Sequence, residues 1–527
     1  MSGDLLRILG LWRGRAVWLA AGMLVSLAAL ASAVGLMAFG GLALTGLVGV
    51  PLVLRCLGVA RVFLRYAERM VTHTAMFRAL SDVRVWFFRR LARGSAGGLG
   101  FRRAGDLLAR LVGDVEALDG IYLRILVPLA GAMLLLPIVT VGAGVAAGGM
   151  FVLAAFFLPW LAARAAREAG DTLAKAAGEL RIAALDALTG LREVRAFAAE
   201  GRMLALVQAK EAALLGAQHA LAGRTALASV LAFLCGQAAL LAVLVVPHGG
   251  FVAVFLVVAG FEAIGGLPRA GALVGHAAAA ARRVLEAADA PVPVPDPVVS
   301  GPMPEGTRLR FEGVGFRWLP DRPPVFDGLT LDIPQGARVA LLGPSGAGKS
   351  SLAALALKVA APQAGRVLLG EADIASLSAA DVRMRIGWLS QATHLFDDTI
   401  RANLLLARPE ATDAALWAAL EAARIADVMR ALPEGLDTWV GEGGARFSGG
   451  QGRRLALARA LLSEAPILIL DEPCAGLDAA TEREFLTTLN DVAAGRTVVL
   501  ITHRLVGVEK LDRIFRLSGG KAVAAAG

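Results

Sequence analysis

Charge and cysteine are both scarce in this sequence. Only 18% of its 527 residues are charged, against 57% apolar, a balance beyond that of an ordinary soluble globule, so membrane segments are the first thing to seek. The three cysteines, Cys56, Cys235 and Cys474, lie far apart with no CxxC pairing, which argues against a disulfide framework or a zinc site and leaves packing roles. A net charge of +9 would suit a nucleic-acid partner, but arginine crowds beside the apolar runs, where a membrane protein keeps its cytoplasmic charge. Nucleic-acid binding is therefore set aside.

Most long uncharged runs fall before about residue 268, and the remainder reads as a soluble domain. A bilayer-spanning helix needs about 20 apolar residues. Six spans are expected, near 16–39, 41–60, 125–147, 149–163, 225–247 and 249–268. Eleven arginines lie between Arg61 and Arg110, and nine basic residues between Arg164 and Arg224. The turns at Gly40, Gly148 to Gly149 and Pro247 to Gly250 carry none. The positive-inside rule then puts both termini in the cytoplasm. A signal peptide is the other reading of the first run, with Arg7, Arg13 and Arg15 before it and Ala31-Ser32-Ala33 as a cleavage-like site. It is rejected because the apolar run continues past that point.

The two arginine-rich stretches have helical apolar spacing, as in Leu180, Ala184, Leu188, Leu191 and Val194, and predict helices projecting into the cytoplasm. Their turnarounds are expected near Gly94 to Gly105 and around Leu204 to Gly216 or slightly earlier. A proline-rich stretch from Pro291 to Pro297 favours extended chain and marks a linker. The expected domains are thus a membrane domain over 1–290, a linker over 291–300 and a soluble domain over 301–527, which the motifs below make nucleotide-binding.

The chemistry lies in that last part. The strand-like Arg338 to Leu342 leads into Gly343-Pro344-Ser345-Gly346-Ala347-Gly348-Lys349-Ser350, followed by a helix-forming run from Ser351. This is a Walker A pattern in its strand-loop-helix context, and Gly343 to Ser351 are the expected ATP-binding residues. Its backbone N–H groups turn inward on phosphates, Lys349 neutralises them and the Ser350 hydroxyl ligates magnesium. Ile467 to Leu470 followed by Asp471 and Glu472 reads as a buried strand ending in two carboxylates. Asp471 would hold the magnesium shell and Glu472 would act as general base on water. Between them stands Phe447-Ser448-Gly449-Gly450-Gln451, ahead of a helical run, where Ser448 and backbone N–H groups at a helix N-terminus suit a γ-phosphate.

These motifs resemble those of the ABC transporter family, with phenylalanine in place of the usual signature leucine. The resemblance implies that Ser448, Gly449, Gly450 and Gln451 serve ATP bound to an opposite cassette. It assigns Gln391 to the Q-loop and the magnesium shell beside Ser350 and Asp471, His503 to the switch histidine, Trp318 to adenine stacking and Asp478 to the D-loop at the dimer interface. Trp318 has a packing role as its plain alternative. Six spans before one cassette resemble the exporter-type half-transporters, implying a type I exporter membrane domain fused to an α/β P-loop domain.

Finer resemblance is to the CydC family, whose members pair with CydD in a bacterial inner-membrane transporter required for cytochrome bd assembly. It is carried by Arg65-Tyr66-Ala67-Glu68-Arg69-Met70-Val71-Thr72-His73, Gly105-Asp106-Leu107-Leu108, Asp114 to Asp119, Tyr122-Leu123-Arg124 and Glu472 to Asp478. Cys474 and Ala475 depart from the family's usual threonine and glutamate. The resemblance implies a CydD-like partner and cysteine or glutathione as cargo, with a link to haem b. Composition does not choose among these cargoes, and a lipid or drug exporter of the same architecture is the alternative. Arg69 and His73 share a helical face, so that His73 would ligate haem iron and Arg69 a propionate; a plain cytoplasm-facing histidine is the other reading. Glu262, inside the sixth apolar run, is expected to meet substrate or to form an ion pair with an arginine such as Arg55 or Arg61.

Overall fold

A computed structural model describes residues 3–44, 50–94, 107–108, 110–245, 250–493 and 495–524. The chain divides into two compact units, Met1–Pro291 and Val292–Gly527.

The first unit is helical. In chain order it contains α1 (Gly3–Leu11), α2 (Ala16–Ala43), α3 (Val50–Gly94), α4 (Val127–Ala143) with a π-helical lead-in at Ile121–Leu126, and α5 (Val145–Val152). A short π-helical stretch joins α5 to α6 (Leu158–Thr189), followed by α7 (Leu191–Ala196), α8 (Glu200–Val245), α9 (Gly250–Ile264) and α10 (Leu267–Ala288). Among the described residues, five stretches are long and apolar enough to cross a membrane: Gly3–Ala43, Ile121–Ala143, Val145–Ala166, Glu200–Val245 and Gly250–Gly271. The expected span at 41–60 differs. The described chain there ends one helix at Ala43 and begins another at Val50, and Arg55, Arg61 and Arg65 along α3 keep it out of the purely apolar class. Large apolar side chains such as Val141 and Val145 lie exposed on the outer surface, as lipid-facing residues do.

Two turns depart from expectation. The break between α4 and α5 falls at Gly144, which adopts φ +93°, a left-handed conformation that glycine enters at little cost. Gly148 instead lies within α5, where an added Cβ would stand 2.3 Å from Thr140 Oγ1. The second turnaround falls at Gly190 and Phe197 to Ala199, on the earlier side of the expected range and not within 204–216, because Glu200–Val245 is one helix. The expected turns at Gly94 to Gly105 and Pro247 to Gly250, and the segment Gly105-Asp106, lie wholly or mostly outside the described residues. Helices approach closely through small residues, as membrane helices do. A Cβ on Gly271 would meet the Pro159 carbonyl oxygen at 2.2 Å.

The second unit carries β1 (Leu309–Phe316), β2 (Phe326–Ile333), β3 (Arg338–Leu342), α11 (Lys349–Ala356), β4 (Ala364–Leu369) and β5 (Ala372–Asp373). Next come α12 (Ala379–Met384), β6 (Ile386–Leu389), α13 (Ile400–Leu405), α14 (Asp413–Ala422) and α15 (Ala426–Arg430). The chain continues through α16 (Gly449–Leu462), β7 (Ile467–Asp471), α17 (Ala479–Val492), β8 (Thr497–Ile501), β9 (Arg513–Ser518) and β10 (Lys521–Ala524). A six-stranded sheet has the order β10-β9-β3-β8-β7-β6, and its β9-β3-β8-β7-β6 portion is parallel. β7 and β8 are buried at every residue, which is why they read as unbroken apolar runs. A smaller antiparallel sheet, β2-β1-β4-β5, stands beside it. Part of the proline-rich stretch packs on this unit: Asp296 accepts from the Ala379 N–H at 2.8 Å and from buried Lys358 at 3.3 Å.

Candidate nucleotide site

Four of the parallel strands deliver their following loops to one edge of the sheet, where α/β folds bind ligands. β3 ends in the glycine-rich loop, β6 leads to Gln391, β7 ends at Asp471 and Glu472, and β8 leads to His503. These loops and Trp318 line a cavity of about 500 Å³, with Ser345, Gly346, Gly348, Lys349, Ser350 and Ser351 on its floor. Gly343, Pro344 and Ala347 complete the loop behind it.

Gly348 turns the chain into α11 at φ +96°. Lys349 is buried and donates to the carbonyls of Gly343 at 2.7 Å and Pro344 at 3.0 Å, so its ammonium sits over the loop. Ser350 donates to Asp471 at 2.6 Å. Burial raises the Asp471 carboxyl above its ordinary range; the Ser350 hydrogen bond lowers it, and Glu472 pushes it up again. A hydroxyl and a carboxylate this close form a hard-oxygen pair suited to magnesium, which takes few protein ligands and fills its shell with phosphate and water. Gln391 lines the same cavity. Among the described residues, no cluster of three or more His, Cys, Asp or Glu side chains forms an all-protein metal centre.

Glu472 adopts φ +50°, a left-handed conformation that costs a non-glycine residue energy and persists only where neighbours enforce it. Its N–H donates to the Ile501 carbonyl at 2.8 Å. His503 Nδ1 stands 3.7 Å from Glu472 Oε1, at the cavity wall. A carboxylate thus fixed beside the magnesium pair can take a proton from water.

The enforcing group is Arg453 on α16, which the sequence reading passed over. Its guanidinium donates to the carbonyls of Asp471 at 2.7 Å, Glu472 at 2.9 Å and Gln391 at 2.8 Å, tying two strand ends to the signature helix. Burial lowers its pKa, opposed by Asp471 and Glu472. Only tertiary structure brings these three carbonyls together, so no sequence signal marks the residue beyond its place after the signature. Arg453→Lys cannot span all three acceptors, and its expected effect as a positioning residue is a kcat about 10- to 100-fold lower. ATP KM should change far less. Steady-state ATPase kinetics checks this split, which general unfolding would not produce.

Of the other expected site residues, Trp318 lines the cavity, whereas Ser448 and Asp478 are not among its lining residues. Ser448 caps α16 in a capping box with Gln451, and Ser448 and Gly449 are exposed. Asp478 caps α17, accepting from the Ala480 and Thr481 N–H groups and the Thr481 hydroxyl. Trp318 is partly exposed, stands edge-on to Phe316 at 5.0 Å and donates to Ser351 at 3.0 Å. Burial pushes the Cys474 thiol up to about 12, with Glu482 and Glu509 adding to the effect, so it stays protonated and a poor nucleophile.

In the membrane unit, α3 carries Arg69 and His73 on its exposed side, with His73 Nδ1 2.9 Å from the Arg69 carbonyl oxygen and Phe77 edge-on at 6.2 Å. Glu262 forms no ion pair among the described residues, so of its two expected roles the structural pair is not seen, although Arg61 lines the same cavity.

Two family models match: ABC transporter over residues 326–475 and ABC transporter transmembrane region over 45–252. The chain is 33% identical to the glutathione/L-cysteine transport system ATP-binding/permease protein CydC of Escherichia coli K12, over 98% of this chain and 96% of that protein. An ATP-dependent lipid A-core flippase of Ralstonia nicotianae is 44% identical, but over only 41% of this chain and 37% of the flippase. A solved bacterial Atm1-family ABC exporter with ATP bound superposes with a TM-score of 0.83 at 25% identity, covering 99% of this chain and 95% of that one. With nearly its whole length matched and its strand-end loops gathered around one phosphate-binding cavity, the chain belongs to the ABC transporter family as an ATP-hydrolysing exporter half-transporter resembling CydC.

Proposed function

We propose that this chain pairs with a CydD-like half-transporter in a bacterial inner membrane, with both termini cytoplasmic, and exports cysteine or glutathione in support of cytochrome bd assembly. The observation that carries the reading is the full-length likeness to the E. coli CydC protein, whose own name states its cargo. The higher identity to a lipid flippase covers 41% of the chain, too little to speak for the cargo.

In this reading Lys349 and the glycine-rich loop hold the ATP phosphates, and Ser350, Gln391 and Asp471 serve magnesium. Trp318 stacks on adenine, Glu472 is the general base and His503 the switch beside it. Ser448 and Gly449, exposed at the start of α16 and not among the residues lining the chain's own cavity, serve ATP on the partner together with Gly450 and Gln451, and Asp478 adds a contact at the joint. Deleting the gene is expected to abolish the absorption bands of cytochrome bd. Wild-type protein should restore them and Glu472→Gln should not; normal bands in the deletion strain would refute the reading. Affinity capture from membranes should recover a second, different half-transporter, and a stable homodimer with full activity would refute the pairing.

Haem binding belongs to the same reading. The hydrogen bond from His73 Nδ1 to the Arg69 carbonyl fixes the tautomer that leaves Nε2 free for iron. Exposed Met70 and Phe77 offer apolar surface, and exposed Arg69 suits a propionate. When bound, the haem would supply a redox-active iron, and His73 would supply the neutral imidazole that holds it. Haem added to the wild-type complex is expected to give a shifted Soret band that His73→Ala abolishes and Arg69→Ala weakens. An unchanged shift in His73→Ala would remove this site and leave the ATPase reading intact.

A further inference from the structure

Within the membrane unit, α2, α3, α9 and the stretch around Leu123 to Ala132 enclose a cavity of about 460 Å³, inside the range of small-ligand pockets. Most of the residues that line it are apolar, but Ser26, Arg61, Arg65, Glu68 and Glu262 line it too and give it a substantial polar surface. Ionisable side chains within a membrane domain are costly and mark functional sites when they face a cavity.

The four charges are not equivalent. Glu68 is satisfied internally: Ser26 donates to it at 2.8 Å and Arg65 pairs with it at 2.8 Å. Arg61 on α3 and Glu262 on α9 form no hydrogen bond through their side chains and no ion pair among the described residues. The cavity therefore offers one free cation and one free anion from different helices, and its four charges sum to zero. A polyanion would confront Glu68 and Glu262, and a simple cation would confront both arginines. The complement of this wall carries one carboxylate and one ammonium, with a side chain for the apolar remainder.

We propose that this cavity is a zwitterion site, taking a free amino acid or short peptide with its carboxylate on Arg61 and its ammonium on Glu262. The inference rests on the thiol-export reading and deepens it, because cargo is then selected by its amino and carboxylate groups and not by its sulfur.

The test uses the full transporter in inside-out vesicles, with ATP-driven uptake of labelled L-cysteine and four competitors: cysteine itself, S-methyl-L-cysteine, L-cysteine methyl ester and N-acetyl-L-cysteine. S-methyl-L-cysteine should compete within about 3-fold of cysteine, and the two charge-blocked compounds at least about 10-fold more weakly, the usual cost of unpairing a charged hydrogen-bonding group. Glu262→Gln should erase the preference over N-acetyl-L-cysteine alone, Arg61→Gln the preference over the ester alone, and Glu262→Asp should retain both preferences. These ratios separate recognition from misfolding, which weakens every competitor alike. Equal competition by all four compounds in wild type, or ratios unmoved in both neutral variants, would overturn the site. Failure of S-methyl-L-cysteine to compete would overturn recognition by charge while leaving thiol export standing. ATP hydrolysis without uptake of any thiol would overturn the thiol-export reading and the inference with it.

Discussion

Glu472→Gln is expected to bind ATP as wild type does while hydrolysing it about 10²- to 10⁴-fold more slowly, the usual contribution of a positioned general base. Glutamine keeps the size and hydrogen bonding of the side chain but cannot take a proton. The backbone constraints remain, since the φ of +50°, the N–H bond to Ile501 and the Arg453 contact to the carbonyl all belong to the main chain. The loss should therefore fall on kcat with little change in nucleotide affinity. Turnover of more than about half the wild-type rate in the purified variant would remove Glu472 as the base.

The second large effect is expected at Gly348. Its φ of +96° lies where a side chain is strained, and a Cβ there would stand 2.6 Å from Val325 Cγ1 and 2.8 Å from Phe326 Cε1. Phe326 is fully buried in the cassette core and has nowhere to move. In Gly348→Ala the loop must re-route, turning its N–H groups away from the phosphates. Losing two charge-assisted hydrogen bonds at about 1.5–3 kcal/mol each weakens ATP binding roughly 10²- to 10⁴-fold. Titration with a fluorescent ATP analogue reads this directly, and an affinity within about 3-fold of wild type would contradict the loop geometry.

The parts of the site that were legible in the sequence are those fixed by local chain geometry. The glycine-rich loop, the strand-end carboxylates and the signature segment each occupy a few consecutive residues, so spacing alone announces them. Arg453 was not legible, because its acceptors at Gln391, Asp471 and Glu472 come from two strands. Helix boundaries in the membrane unit were legible only coarsely. A run of apolar residues with several glycines does not say which glycine turns the chain: Gly144 does, and Gly148 instead makes room for Thr140 inside the helix pair. The second turnaround likewise depends on Gly190 and on Ala198 at φ +48°, a conformation that nothing about an alanine advertises. Asp478 shows the converse, since its side chain has a full capping role inside its own cassette before any partner arrives.

The central claim, that ATP hydrolysis in this protein drives thiol export, is tested most directly by accumulation of labelled L-cysteine in inside-out vesicles. The account predicts uptake against a gradient with magnesium and ATP, none with a non-hydrolysable analogue, and none when the chain carries Glu472→Gln. Wild-type vesicles that hydrolyse ATP without concentrating cysteine or glutathione, or Glu472→Gln vesicles that concentrate cysteine as well as wild type, would contradict it.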